Sequence, residues 1–303
     1  MKLPSTVAYV AFALEDAARF GLPAFADQFR IALHNLKDTY ALSSVSCHVS
    51  RLRKHLDEVL PPSPDKMAML GLVCLPQEDY DLLNGRYNKK VEKANKDRRP
   101  LSATTLRVGL RLLNSKVAGE RMLGLCLATG RRSVEIAQTA RFEPHPEHSN
   151  VVWFTGQVKR KHLEDIRYPI PLLVEWKHLA PIWNRHVEAF QRPRANMDLK
   201  RVTESFNLST LVKNLFGETA KPHHMRHWYA AFCSYLYRPE EVSEAAFIGA
   251  ILGHRAYEES DDEGDEGLID TQTAKSYDTC YVPKGTQLGI NPDPSVGHII
   301  NNQ

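Results

Sequence analysis

Apolar residues recur at helical spacing along most of this chain and read as strands in only one region. Val7, Val10, Ala11, Leu14 and Ala18 mark a first amphipathic helix, which Gly21-Leu22-Pro23 interrupts. A second helix is expected from about 24 to 40. A third starts near Ser43-Ser44, a plausible N-cap, and stops at Pro61-Pro62-Ser63-Pro64. A short apolar run, 67–75, ends at Pro76, and a further helix is expected over 78–96. Helices are again expected at about 103–114, 116–128 and onward to Ala140, then at 172–191, 203–216, 223–237 and 240–252.

The pattern changes at Asn150. Val151-Val152-Trp153-Phe154-Thr155 is β-branched and aromatic, as strands are, and a second such run spans 166–170 before Pro171. The expected fold is therefore mostly α with a small β-hairpin or meander. A short helix is expected from Thr271 to Cys280, and the Pro-, Gly- and Asn-rich segment 283–303 reads as an arm or a disordered tail.

Between the N-terminal helices and the rest lies 89–100, with six basic residues against two acids and a terminal Pro100 that disfavours helix before it. This reads as a basic linker following a DNA backbone through Lys89, Lys90, Lys93, Arg98 and Arg99. The expected organisation is an N-terminal helical DNA-binding domain over 1–100 that includes this linker, a catalytic domain over 101–283, and a tail over 284–303.

Charge sharpens that picture. The 303 residues carry a net charge of only +3, but residues 258–266 hold seven acids. Without those seven the net charge becomes +10, a balance suited to a polyanion partner. The acidic segment reads as a disordered loop. No apolar run reaches ~18 residues, so no membrane span is expected. The start of the chain lacks a signal-peptide pattern. Five cysteines, odd in number and scattered with no Cys-x-x-Cys, indicate neither a disulfide scaffold nor a zinc site. The expected compartment is a reducing cytosol.

Candidate chemistry lies in four stretches. Ala128-Thr129-Gly130-Arg131-Arg132 ends an apolar helix on a glycine and places two arginines at the start of the next helical segment. Arginine's planar fork of donors matches a phosphate, and a helix N-terminus adds positive partial charge. Phe154-Thr155-Gly156-Gln157 leads to Lys159 at an expected hairpin tip, from where an ammonium can give a proton to a leaving oxygen; Lys161 is nearby. His223 and Arg226, three apart, share a helix face. Leu252-Gly253-His254 precedes Asp270-Thr271-Gln272 and Tyr277. A phenol titrates near ~10, so a tyrosine nucleophile needs cationic surroundings or a base. His223, His224, His227 and His254 could suggest a metal, but no carboxylate or cysteine completes a standard spacing, so none is assigned.

Taken together, Thr-Gly-x-Arg-x-x-Glu, the hairpin lysine, His-x-x-Arg-His, Leu-Gly-His and a late tyrosine resemble the tyrosine recombinase superfamily of phage-type integrases. Ala-Thr-Gly-Arg-Arg with Glu135-Ile136, Phe-x-Gly-Gln-x-Lys, and Asp-Thr-Gln before the tyrosine resemble most closely the hairpin telomere resolvases, or protelomerases. The resemblance covers about 100–283, and the N-terminal helices only loosely. It implies that Tyr277 attacks a DNA phosphodiester to form a 3′-phosphotyrosyl bond, with Tyr281 as the alternative nucleophile. Arg132 and Arg226 would stabilise the pentacoordinate phosphate, aided by His223 and His254. Lys159 would protonate the departing 5′-hydroxyl, while Arg131 and Lys161 would contact DNA. The covalent bond conserves the phosphodiester energy, so no ATP, metal or other cofactor is implied. A homodimer on an inverted-repeat duplex would close two hairpins. A conventional integrase that exchanges strands in a tetramer would use the same residues, and a catalytically silent DNA-binding protein of the same fold is the third reading.

Overall fold

The computed structural model describes residues 5–158, 166–194, 197, 204–254 and 271–301. The chain divides into two compact units, Met1–Lys90 and Val91–Gln303, each with its own apolar core.

The first unit packs α1 (Ser5–Ala18), α2 (Leu22–Thr39), α3 (Leu42–Val59) and α4 (Pro64–Leu72), and takes in the start of α5 (Gln77–Lys96). Val7, Leu14, Phe25, Leu36, Val45, Leu52 and Leu56 are fully buried at helical spacing. Helix α3 begins at Leu42, with Ala41 at its N-cap position and no capping side chain there, one residue ahead of the expected serines. Ser63 does cap α4, accepting a hydrogen bond from the Lys66 amide at 3.1 Å.

In the second unit, α6 (Ala103–Arg111) is capped by Ser102, which accepts from the Thr105 amide. Helix α7 (Ala118–Thr129) is the core of the unit and is apolar all round, with Met122, Leu123, Leu125, Leu127 and Ala128 wholly buried. A π-helical turn, Glu135–Thr139, follows it. The expected hairpin or meander is a three-stranded antiparallel meander, whose first strand lies outside the two runs read from the sequence. After a short strand β1 (Arg99–Pro100), strand β2 (Arg141–Pro144) pairs with β3 (Val151–Thr155), which pairs with β4 (Tyr168–Pro171). In Arg-Phe-Glu-Pro only Phe142 is buried, so β2 has too little alternation to be read from sequence.

Helix α8 (Trp176–His186) continues into a π-helical turn, Val187–Gln191. It is followed by α9 (Leu208–Phe216), α10 (His224–Tyr237) and α11 (Glu244–Leu252). The helix expected over 271–280 is only α12 (Thr271–Lys275). Its second half turns into a strand, Cys280–Tyr281, parallel to Arg99–Pro100. The segment read as an arm or disordered tail instead carries α13 (Ser295–Asn301), with Val296 and Ile300 buried in the main core. Two apolar residues four apart suffice to dock one helical turn.

Candidate active site

Two glycine caps bring the motifs together. Gly130 ends α7 with φ 68°, and its amide donates to the Cys126 carbonyl at 2.9 Å. A Cβ at that position would stand 2.2 Å from the Tyr229 ring, so the turn needs both the left-handed conformation and the missing side chain. Gly253 ends α11 with φ 67°, and a Cβ there would meet the Tyr168 hydroxyl at 2.2 Å. The close approach is used: Gln157 Nε2 donates to the Gly253 carbonyl at 2.9 Å, and the Tyr168 hydroxyl donates to Gln157 Oε1 at 2.8 Å. Gln157 is thus the strut between the sheet and the Leu-Gly-His turn, a role no single-residue signal in the sequence displays.

Arg131 was expected on DNA, and here the structure corrects the reading. It is 1% exposed. Its Nη1 donates to the Tyr168 hydroxyl at 2.5 Å and its Nη2 to the Ile251 carbonyl at 2.6 Å, and the guanidinium lies 4.6 Å from the Phe154 ring centroid. Every one of these partners belongs to the protein interior, so Arg131 ties α7, the sheet and α11 together. Arg132 turns the other way. Its side chain is 17% exposed, with Nη1 2.7 Å from Glu135 Oε1 and its amide donating to Glu135 Oε2 at 2.9 Å.

Arg226 stands on the first turn of α10 and is 2% exposed. Nη1 donates to the Gly130 carbonyl at 2.5 Å and Nη2 to the Leu252 carbonyl at 2.8 Å, so one guanidinium locks both glycine turns. Nη2 also lies 3.4 Å from His254 Nε2. Tyr277 is 6% exposed and faces the same cluster. Its ring centroid is 5.4 Å from His223, 4.8 Å from His227 and 5.0 Å from His254, and the Arg226 guanidinium is 5.3 Å away. Tyr281, the alternative nucleophile, is 39% exposed on the parallel strand pair, against Arg98. The structure therefore gathers Arg132, His223, Arg226, His254 and Tyr277. His227 joins them, and the sequence reading gave it no role beyond a rejected metal cluster. Lys159 and Lys161 lie outside the described residues.

The cluster carries an excess of positive charge. Glu135 is wholly buried; desolvation opposes its ionisation, but Arg226, Arg131 and Arg132 together hold its carboxyl below the usual range. One carboxylate against three guanidinium groups leaves the site two charges short of neutral, which disfavours cations. Burial, with Arg131 and Arg132, pushes Arg226 down to about 10, and it remains charged at neutral pH. Burial and then Arg226, Arg132 and Arg131 push His254 down to about 2, and burial with His223 and His224 pushes His227 down to about 3. Both imidazoles are therefore neutral near pH 7. Arg226 Nε and His254 Nδ1 have no hydrogen-bond partner among the described residues. Among those residues no group of three or more His, Cys, Asp or Glu side chains could hold a metal ion.

These neutral histidines set a pH dependence of stability. His186, buried and donating to the Ile136 carbonyl at 3.1 Å, is likewise lowered, to about 4. All three titrate at 6.5 when unfolded, so the unfolded chain takes up protons first as pH falls. The stability they contribute is complete above pH 6.5 and is lost below it, at on the order of 1.4 kcal/mol per pH unit for each group. Asp278, raised from 3.8 to about 6 chiefly by burial and Glu244, works in the opposite direction and offsets part of this loss below pH 6. Urea midpoints measured from pH 7.5 to 5 should fall steeply below 6.5; a flat profile would contradict neutral burial of these rings.

Arg98 was also expected on DNA. Its guanidinium is engaged by Glu244, Asp278 and the Cys280 carbonyl. Lys89, Lys90 and Lys93 lie on the exposed face of α5, and Arg99 on the strand after it. No helix among the described residues is long and apolar enough to cross a membrane.

The family model for the telomere resolvase ResT/TelK catalytic domain matches residues 101–277. No curated protein matches. Among solved structures, protelomerase TelA covalently complexed with substrate DNA superposes with a TM-score of 0.78 at 22% identity, over 94% of this chain and 91% of that one. A TelA mutant complexed with DNA hairpin product gives 0.78 at 21% identity, over the same shares. Protelomerase TelK complexed with substrate DNA gives 0.58 at 13% identity, over 95% of this chain and 61% of that one. These likenesses show a shared fold; the family match spans more than half of the chain, which therefore belongs to the telomere resolvases of the ResT/TelK type.

Proposed function

We propose that this chain cleaves and rejoins duplex DNA with Tyr277 as nucleophile and seals each cut end into a covalently closed hairpin. The observation that carries the reading is the seat of Tyr277, packed against Arg226 and three histidine rings in a pocket with two excess positive charges. A buried excess of that sign is costly until an anion neutralises it, and a phosphodiester supplies the anion. TelA structures, one covalently complexed with substrate DNA and one holding a hairpin product, support the same chemistry here.

In the proposed sequence, the Tyr277 oxygen bonds to phosphorus as the 5′-oxygen bond breaks. Arg132 and Arg226 bear the negative charge that builds on the non-bridging oxygens. His254 and His227 are neutral at pH 7 and, beside uncompensated cations, weak bases; the bound phosphodiester offsets that charge, so that either ring can take the phenol proton or donate a hydrogen bond to phosphate. The 5′-hydroxyl of the opposite strand then attacks the phosphotyrosine and restores a phosphodiester, so no external energy source enters. Two such events across an inverted repeat require two copies of the chain, and a homodimer on DNA is the arrangement proposed. The first unit and the basic run of α5 are each proposed to contact the flanking duplex. The test is a covalent protein–DNA adduct on an inverted-repeat duplex selected for tight binding. Binding without any adduct would leave a silent DNA-binding protein.

The proton for the departing 5′-oxygen is assigned to Lys159. General acids typically contribute about 10²–10⁴-fold, because an alkoxide leaves phosphorus poorly. Lys159→Ala should be slow on ordinary DNA and largely restored on DNA with a 5′-bridging sulfur, whose departure needs no proton. Equal defects on both substrates would remove Lys159 from this role and bring Lys161 forward.

A further inference from the structure

Arg98 stands two residues beyond α5 and next to the strand Arg99–Pro100. Its Nη2 donates to Glu244 Oε1 at 2.7 Å and to the Cys280 carbonyl at 3.1 Å, and lies 2.8 Å from Asp278 Oδ1. Its guanidinium covers the Tyr281 ring at 5.6 Å. The backbone on either side continues the attachment. The Arg99 amide donates to the Thr279 carbonyl at 3.0 Å, and the Leu101 amide to the Tyr281 carbonyl at 2.8 Å. His227 Nδ1 lies 2.9 Å from Thr279 Oγ1. Residues 278–281, which follow Tyr277 without a break, are thus held on one side by residues 98–101 and on the other by the helix that carries His227. Glu244, on the first turn of α11, anchors the other side of the clasp.

We infer that Arg98 is a positioning residue for the Tyr277 nucleophile, acting through Asp278 and the Cys280 carbonyl to fix the segment that carries the tyrosine. The inference rests on the proposed role of Tyr277. Positioning matters because a displacement of about 1 Å from the reactive geometry can cost roughly 100-fold in rate. A single Arg98 nitrogen donates hydrogen bonds to Glu244 and the Cys280 carbonyl and pairs by charge with Asp278, so the two sides of the clasp share one guanidinium.

The clasp also predicts a pH signature. One guanidinium faces two carboxylates, Glu244 and Asp278, so the assembly is strained toward protonation. Burial and the Glu244 charge push Asp278 up to about 6, against the pull of Arg98. The other charged or titratable groups near this segment are Arg99, which acts on the Cys280 thiol, and His227, which stays neutral because it is lowered to about 3. The Lys275 carbonyl accepts from the Asp278 amide. As pH falls through 6, Asp278 is therefore the group of the clasp that loses its charge and its hold on Arg98.

The test uses the full chain and a selected inverted-repeat duplex. Single-turnover adduct formation and DNA affinity are measured from pH 5.5 to 8 for the parent, Arg98→Ala, Arg98→Lys and Asp278→Asn, with thermal midpoints alongside. Arg98→Ala should slow adduct formation roughly 10- to 100-fold with little change in affinity, and Arg98→Lys should recover part of the loss. Asp278→Asn should abolish the parent's fall in rate between pH 7 and 5.5. If Arg98→Ala does not fold, that flattened profile alone decides. A parental rate for Arg98→Ala, a rate loss matched by lost affinity, or a parental pH profile in Asp278→Asn overturns the inference while the nucleophile reading stands. A parent that forms no adduct overturns both.

Discussion

Tyr277→Phe is expected to abolish covalent adduct formation, with a rate loss of roughly 10⁴-fold or more, since no other group at that position can take over attack on phosphorus. The substitution keeps the ring that packs against His223, His227 and His254, so the local core should survive. The stability change should stay at about 1 kcal/mol or less, the usual range for losing one hydroxyl. DNA affinity should be preserved, because the basic run of α5 is untouched. Denaturing electrophoresis reads the adduct and a mobility shift reads binding. A phenylalanine variant that still forms the adduct would shift the nucleophile to Tyr281.

The second large effect separates two arginines that the motifs present as equals. Arg132→Ala should cost about 3–4 kcal/mol of transition-state stabilisation, the scale of a lost oxyanion donor. Its folding cost should be modest, because Arg132 is partly exposed and, among the described residues, its side chain hydrogen-bonds to the neighbouring Glu135. Arg226→Ala should lose the same chemistry and also unfold more readily, by about 3–5 kcal/mol. It strips the Gly130 and Leu252 carbonyls of their donors and deprives buried Glu135 of one of its three cationic neighbours. Arg226→Lys should not restore activity, since an ammonium cannot span both turns. Single-turnover rates with urea unfolding distinguish the two arginines. Equal stability for both variants would contradict the locking role of Arg226.

Much of the site was legible because its chemistry demands particular residue types at fixed offsets. Gly130 before Arg132, His223 three before Arg226, and Gly253 before His254 all reflect helix ends, and local geometry of that kind is written in neighbouring residues. What escaped notice depends on contacts between distant segments. Arg131 and Arg132 look alike in sequence, and only the packing of Tyr168, Phe154 and Ile251 around one of them sends it inward. Gln157 and Arg98 owe their roles to partners 96 and 146 or more positions away. The parallel pairing of Arg99–Pro100 with Cys280–Tyr281 is two residues long and has no periodicity to detect. Helix α13 was missed because Pro, Gly and Asn dominate its flanks, while its anchors are only Val296 and Ile300.

The central claim is that both strands are cut by tyrosine attack and each end is sealed on itself. The most direct measurement incubates the full chain with an end-labelled linear duplex bearing the selected inverted repeat, removes protein, and runs the DNA on a denaturing gel after heating and rapid cooling. The mechanism predicts two shorter products that snap back as covalently closed hairpins and resist exonuclease, made with no nucleotide cofactor present. Recombinant linear strands or four-way junctions in their place would contradict it and indicate strand exchange between duplexes.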